Sequence, residues 1–208
     1  LLGTPSVLAM FESNSGSMPP TVGTVVLGEG ADGILASGVI GNTNVLSEAA
    51  NEGIAVARVD IDNLVRRLPL LMQTDTGWVP AYGTEVLKIL SATDTYIIRT
   101  EQNQIAAIKV PNFKEIETDE LGRKWVSWVG TPKTTLSKME VTDKFVFVGV
   151  SAKGVMPQIA TPVGLLYPHE VQAALAESLT VDVPQIPGAS LLYELLILVG
   201  CLLLVVVM

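Results

Sequence analysis

Residues 60–70 read DIDNLVRRLPL, and their reading decides how the chain on either side is laid out. Asp60, Asp62 and Asn63 are turn formers, because Asp and Asn side chains bond their own backbone and Asn tolerates a positive φ. Apolar runs stand on both flanks, at 54–59 and 64–73. Two such runs around a polar turn predict a β-hairpin with a longer loop. Outward from it, residues 6–11 (SVLAMF) and 21–27 (TVGTVVL) read as strands, the second followed by a Gly-rich turn at 28–33. Thr43 is placed to cap a helix over 45–50 that ends at Gly53. Pro80 sits near a helix start, and 82–90 continues it with Val86, Leu87 and Leu90 at helical spacing.

The second half repeats the mixture. Residues 96–99 and 104–110 flank the turn Glu101-Gln102-Asn103, and 113–116 and 125–129 read as strands around a polar turn at 119–124. The run 145–150 (FVFVGV) is continuously apolar, which predicts a central strand covered on both faces. Residues 168–178 carry Val171, Leu175 and Leu179 at intervals of four and read as a helix, with Pro184 and Pro187 closing the domain. Strands with interspersed helices make an α/β fold, a mixed central sheet flanked by helices, and no internal repeat is visible.

The tail is different. Residues 191–208 read LLYELLILVGCLLLVVVM, with Glu194 their sole charge. A core helix keeps a polar stripe, and none remains beyond Glu194. A membrane span takes roughly 20 apolar residues, so the start of a transmembrane helix is expected at 188–208, following a soluble domain at 1–187. The chain is expected to be a piece of a longer one, because the run stops without a polar exit and LLGTPSVLAMFE lacks a signal-peptide layout. The segment ahead of the run carries Asp182 and no basic residue, which suits passage from outside to inside. The soluble part is then expected in the periplasm or outside the cell, on a bacterial inner membrane.

Composition narrows the functions. Of 208 residues 49% are hydrophobic and 16% charged, and mean hydropathy is +0.46. Lys and Arg number 13 against 21 Asp and Glu, a net charge of −8, which excludes the basic footprint that nucleic-acid phosphates need. The one cysteine, Cys201, lies in the apolar tail, so the rest of the chain has no disulfide or cysteine-ligated metal.

Catalytic residue types are few. His169 is the sole histidine, and no G-x-S-x-G elbow accompanies it. A polar place at a helix N-terminus is its expected role. Asp60 and Asp62 are oxygen ligands that suit a hard cation, but the glycine and distant Glu of a calcium loop are missing. A self-bonded turn is the preferred reading. Arg66 and Arg67 follow one another on a strand and so face opposite ways. One is placed to pair with Asp60 or Asp62, the other to meet a ligand anion or solvent. The loop 151–164 follows the apolar strand and precedes a helix, where α/β proteins place ligands. It lacks the order of a phosphate loop.

These stretches together resemble CHASE2 domains. Residues 60–70 are similar to that family's D-x-D-G-x-x-R-x-x-P-L, 145–152 to its apolar strand ending in V-G, Thr161-Pro162 to its T-P element, and 168–173 to its P-G-x-E-x-H-A helix start. The apolar tail bearing Glu194 resembles the membrane helix that commonly follows. The order holds over roughly residues 20–208. Asn63 stands where the family has glycine, and His169 and Gln172 depart from the usual helix start. The resemblance leads to the expectation that the family's N-terminal membrane helix and first strands are missing from this stretch.

The resemblance implies an extracytoplasmic sensory input domain of a bacterial receptor, with no catalytic residue of its own. The output beyond residue 208 is expected to be a nucleotide cyclase or a protein kinase, a class III adenylate or guanylate cyclase first. A homodimer, a small ligand or periplasmic protein as signal, and the membrane are the expected partners, and no cofactor or metal is expected. The candidate ligand contacts are Asp60, Asp62, Arg66, Arg67, Thr161 and His169. Two other classes remain open: a membrane-anchored hydrolase working through His169, and a structural module of a membrane complex.

Overall fold

The computed structural model of the chain describes residues 5–30, 32–129, 133, 144–152, 154–181 and 191–207, with side chains of only 195–203 in the last stretch. Two mixed sheets carry the fold. In the first, β1 (Val7–Ser17) has β3 (Val39–Ile40) antiparallel on one side and β4 (Asn51–Ile54) parallel on the other. In the second, β8 (Thr95–Glu101) lies between β2 (Gly23–Leu27), parallel, and β9 (Gln104–Lys109), antiparallel, with β10 (Glu115–Glu117) outside β9. Three two-stranded ribbons join them: β5 (Arg67–Pro69) with β11 (Arg123–Trp125), β6 (Leu71–Thr74) with β7 (Gly77–Pro80), and β12 (Ile159–Thr161) with β13 (Gly164–Leu166). The helices are α1 (Asn44–Ser47), α2 (Tyr82–Ser91), α3 (Pro168–Thr180) and α4 (Leu191–Val207). The class is α/β as expected, but the described residues form two mixed sheets and three ribbons where one central sheet was expected.

The β8–β9 hairpin follows the sequence closely. Gln102 and Asn103 both take positive φ, 52° and 62°, which is the two-residue turn that matches strand twist. Alternation buries Tyr96 and Ile98 on one strand, and Ile105, Ala107 and Ile108 are buried on the other, across an irregularity in the ladder at Arg99–Thr100. Helix α2 packs against β1 and β4 and, elsewhere on its surface, against α3. The approach to α3 is close because residue 83 is glycine. A Cβ there would come 2.6 Å from the Gln172 carbonyl oxygen.

Gln172 is 1% exposed and joins three segments. Its Oε1 accepts from the Gly83 N–H at 2.9 Å, and its Nε2 donates to the Val56 carbonyl at 2.7 Å. A buried amide is tolerated when both ends are bonded. Around it Leu87, Val171 and Leu175 belong to one core that also holds Met10, Ile54 and Met72.

Three expectations are corrected. The runs 54–59 and 64–73 do not pair as a hairpin. The turn forms, but β4 takes β1 as a parallel partner and β5 takes β11. Pro69 carries no N–H and breaks the second run, and the chain resumes pairing as β6 with β7.

The run 145–150 is not a strand. Phe145, Val148 and Val150 are 56%, 69% and 54% exposed. Strands β8 and β9, the inner strands of the larger sheet, already have a neighbour on each side, and apolarity alone does not supply a pairing partner.

The tail forms a helix over Leu191–Val207, 17 residues. At 1.5 Å per residue it is about 26 Å long against a hydrocarbon core of roughly 30 Å. Among the described residues no helix is long and apolar enough to cross a membrane, so the expected transmembrane helix is not established by the fold. Pro184 and Pro187 lie outside the described residues.

Replacing Gln172 by Leu leaves the Gly83 N–H and Val56 C=O buried without partners. The expected loss is about 2–5 kcal/mol, read as a lowered guanidinium midpoint with an unchanged slope. An unchanged midpoint shows that the amide does not tie the three segments.

Candidate functional site

The turn at residues 60–63 forms as the sequence predicts. Asn63 sits at φ 63°, its N–H donates to Asp60 C=O at 2.9 Å, and the Asp60 N–H donates to Leu64 C=O at 2.8 Å. Four of the six predicted ligand contacts meet here, and they meet one another. Arg66 grips Asp62 with both terminal nitrogens, at 2.8 and 2.6 Å, and reaches Asp60 at 3.4 Å. Arg67 donates to Asp60 at 2.6 Å and to Asp119 at 3.1 Å.

The expected split, with one arginine turned outward to an anion, is not what forms. Both guanidinia reach Asp60, because Arg66 precedes β5 rather than alternating along it. Bonded to Arg66, the Asp62 carboxyl is held down at about 2. With both aspartates bonded to arginine, the turn is an ion-pair network, in which the buried Arg67 Nε has no hydrogen-bond partner among the described residues. The described residues contain no cluster of three or more His, Cys, Asp or Glu side chains able to hold a metal.

Sequence reasoning missed the far half of this network. Asp119 also accepts from Arg123 Nε and Arg123 N–H, both at 2.8 Å. The β5–β11 register sets Trp125 opposite Arg67, with the guanidinium 5.5 Å from the ring centroid, a cation–π distance. Asp119 lies 52 residues from Arg67, and no local pattern signals that pairing.

Thr161 and His169 lie apart from the network's charges. The Ala160 carbonyl accepts from the Val65 N–H at 2.9 Å, so β12 borders the exit of the turn. The Thr161 hydroxyl, however, donates back to Gly164 C=O at 2.7 Å and closes its own hairpin. His169 is in the first turn of α3, stacked on Tyr167 with centroids 6.0 Å apart. Its ring packs onto Gly149, where a Cβ would collide with it. Burial holds the imidazole below its ordinary range, Glu170 opposes that, and Lys133 adds to it. The N-terminal polar role expected for His169 matches this place.

A cleft of about 540 Å³ lies elsewhere, bordered by β1, β3, α1, β4 and α2. Its apolar wall includes Met10, Val22 and Val39. Its floor carries an ion pair from α2: Lys88 Nζ lies 2.6 Å from Glu85 Oε1, and Tyr96 donates its hydroxyl to Glu85 Oε2 at 2.7 Å. Glu85 is 1% and Lys88 7% exposed. Burial pushes the Glu85 carboxyl up, while Lys88 and Tyr96 draw it back. On the rim Glu52 is fixed by Asn42 Nδ2 at 2.7 Å and Ser47 Oγ at 2.8 Å. Helical spacing flags residues 85 and 88 as one face of α2, but their polarity marks that face as solvent in the sequence, and only packing turns it inward.

A model of the CHASE2 domain matches residues 9–207, nearly the whole chain. No curated protein and no solved structure matches it.

Two titrations follow from these contacts. Asp62 has a folded-state value below its ordinary 3.8, so its contribution to stability is present above that pH and lost as pH falls through about 2. In an Arg66→Ala chain the carboxyl resonance of residue 62 is expected to titrate at its ordinary value, and a midpoint still at about 2 rejects the pairing. For Glu85 the shift is upward, so its contribution is full below its ordinary 4.5 and declines as pH rises through the higher folded value. Lys88→Met strips the buried carboxylate of its cation. It is expected to cost about 3–5 kcal/mol at neutral pH and less in acid, where Glu85 is protonated. Equal losses at both pH values would show that the pair carries no charge.

Proposed function

The chain belongs to the CHASE2 domain family, a family of extracytoplasmic sensory domains, and from that premise we infer that it is the input domain of a bacterial membrane receptor. Residues 1–187 form the sensor outside the cytoplasm, and the segment 188–208, with its helix at Leu191–Val207, leads into the membrane toward a cytoplasmic output. The output we propose is a class III adenylate or guanylate cyclase working as a homodimer, with a protein kinase as the second candidate.

The observation that carries this reading is the family match over residues 9–207. Two features of the fold support it. The described apolar side chains of α4 are exposed, Leu195, Leu198 and Leu203 at about 60%, as a helix bound for lipid or for a second helix requires. The cleft of about 540 Å³ is within the range of small-molecule sites. A signal at the soluble domain favours one of two arrangements of domain and helix, and the shift is limited by the difference in its affinity for them.

The test is a chimera of the 208-residue chain with a reporter cyclase in a bacterial inner membrane, challenged with changes of external solute. The expected result is a several-fold change of cyclic nucleotide that is absent from a chimera lacking the soluble domain. Output that never differs between the two chimeras overturns the sensory reading. Residues 1–187 digested only after the inner membrane is opened would overturn the proposed topology.

A further inference from the structure

We propose that the cleft bordered by β1, α1, β4 and α2 binds a small aliphatic amine, its ammonium group held by Glu52 and its short carbon chain laid against the apolar wall. This deepens the sensory reading and rests on it for its biological consequence.

Charge is the first reason. Three carboxylates, Glu48, Glu52 and Glu85, and one ammonium, Lys88, line the cleft. Glu85 and Lys88 neutralise one another at 2.6 Å, and Glu85's second oxygen takes the Tyr96 hydroxyl. Glu52 and Glu48 remain, and among the described residues no cation pairs with either. An anion entering this cleft meets two like charges, and a cation meets two opposite ones.

Preorganisation is the second reason. Glu52 does not wave in solvent. It stands at the mouth of β4, and its Oε1 accepts two hydrogen bonds, from Asn42 Nδ2 at 2.7 Å and Ser47 Oγ at 2.8 Å. Both donors are neutral, so they restrict the side chain before a ligand arrives without pairing it to a cation. Asn44 and Asn51 also line the cleft and offer acceptor oxygens for further ammonium protons.

Shape is the third reason. Met18, Pro20 and Val22 give the lining an apolar surface, which suits methylene groups and is wasted on an inorganic cation. Met18 is 53% exposed, and beneath it Met10 and Val39 are buried in the core. A metal ion is disfavoured for a further reason: the described residues bring together no group of three or more ligating side chains.

The experiment is calorimetric titration of the 208-residue chain in detergent with a four-carbon series: 1,4-diaminobutane, 1,4-butanediol and succinate. Diaminobutane is expected to bind at least tenfold more tightly than the diol, succinate not at all, and added salt to weaken the diamine. Glu52→Gln keeps an acceptor for Asn42 and Ser47 and is expected to lose about tenfold in diamine affinity at an unchanged denaturation midpoint. Should that variant unfold, Glu48→Gln, at an exposed position, is expected to lose severalfold. No diamine binding at millimolar concentration, equal binding of the diol, tighter binding of succinate, or full affinity in the variants overturns the proposal. A chain that binds the diamine while the reporter chimera never responds keeps the site and overturns the sensory reading. A chimera that responds to other solutes while the chain binds no diamine does the reverse.

Discussion

The side chain of Gln172 holds the centre of the domain because it closes two long loops at once. Its acceptor meets Gly83, 89 residues away, and its donor meets Val56, 116 residues away. Both bonds are buried, where an unmade one leaves a polar group stranded. The register of α3 against α2 is therefore set by chemistry as well as by the fit of Leu87, Val171 and Leu175. Glycine at 83 is part of the same constraint, since any side chain there meets the α3 backbone. With α2 held on α3, its other surface is presented to β1 and β4, and the cleft with Glu85 and Lys88 at its floor follows from that placement.

The chain distributes its charges in two ways. At the 60–63 turn, two arginines meet Asp60, Asp62 and Asp119 in a network whose members are partly exposed. Such pairs are individually weak in solvent, and here they lock a turn and clamp β5 to β11. In the cleft the balance is unequal, with a neutral pair at the floor and a fixed carboxylate at the rim. Paired charges hold structure, whereas the cleft leaves a preoriented carboxylate without a cation among the described residues. The contrast separates the residues that the sequence marks as ligand contacts from the residues that line the cavity.

Much of the fold was legible. Turn residues and alternation located β2, the β8–β9 hairpin, α2 and α3 with nearly the observed limits, because those elements are decided by contacts within a few residues. The failures share one cause. A hairpin at 54–73 and a central strand at 145–150 were read from apolar runs, and an apolar run states a need for cover without naming the partner. The candidate site shows the same limit. Asp60, Asp62, Arg66 and Arg67 stand out as a cluster in the sequence, but the bond from Arg67 to Asp119 depends on β11 lying beside β5. Glu85, Lys88 and Glu52 gave no local signal at all.

By itself the sequence determined the α/β class, the turn at Asn63, the apolar helix at 191–207, the acidic balance and the resemblance that leads to the CHASE2 family. Each of these depends on composition or on neighbours within a turn or two. Tertiary structure alone decided which strands pair, that Gln172 joins three segments, that Arg66 and Arg67 bond Asp60, Asp62 and Asp119, and that a cleft with Glu52 at its rim opens beside α2. The reason is physical: pairing and burial are relations between segments distant in the chain, and the free energy of a charge is set by what the fold brings within a few ångströms of it.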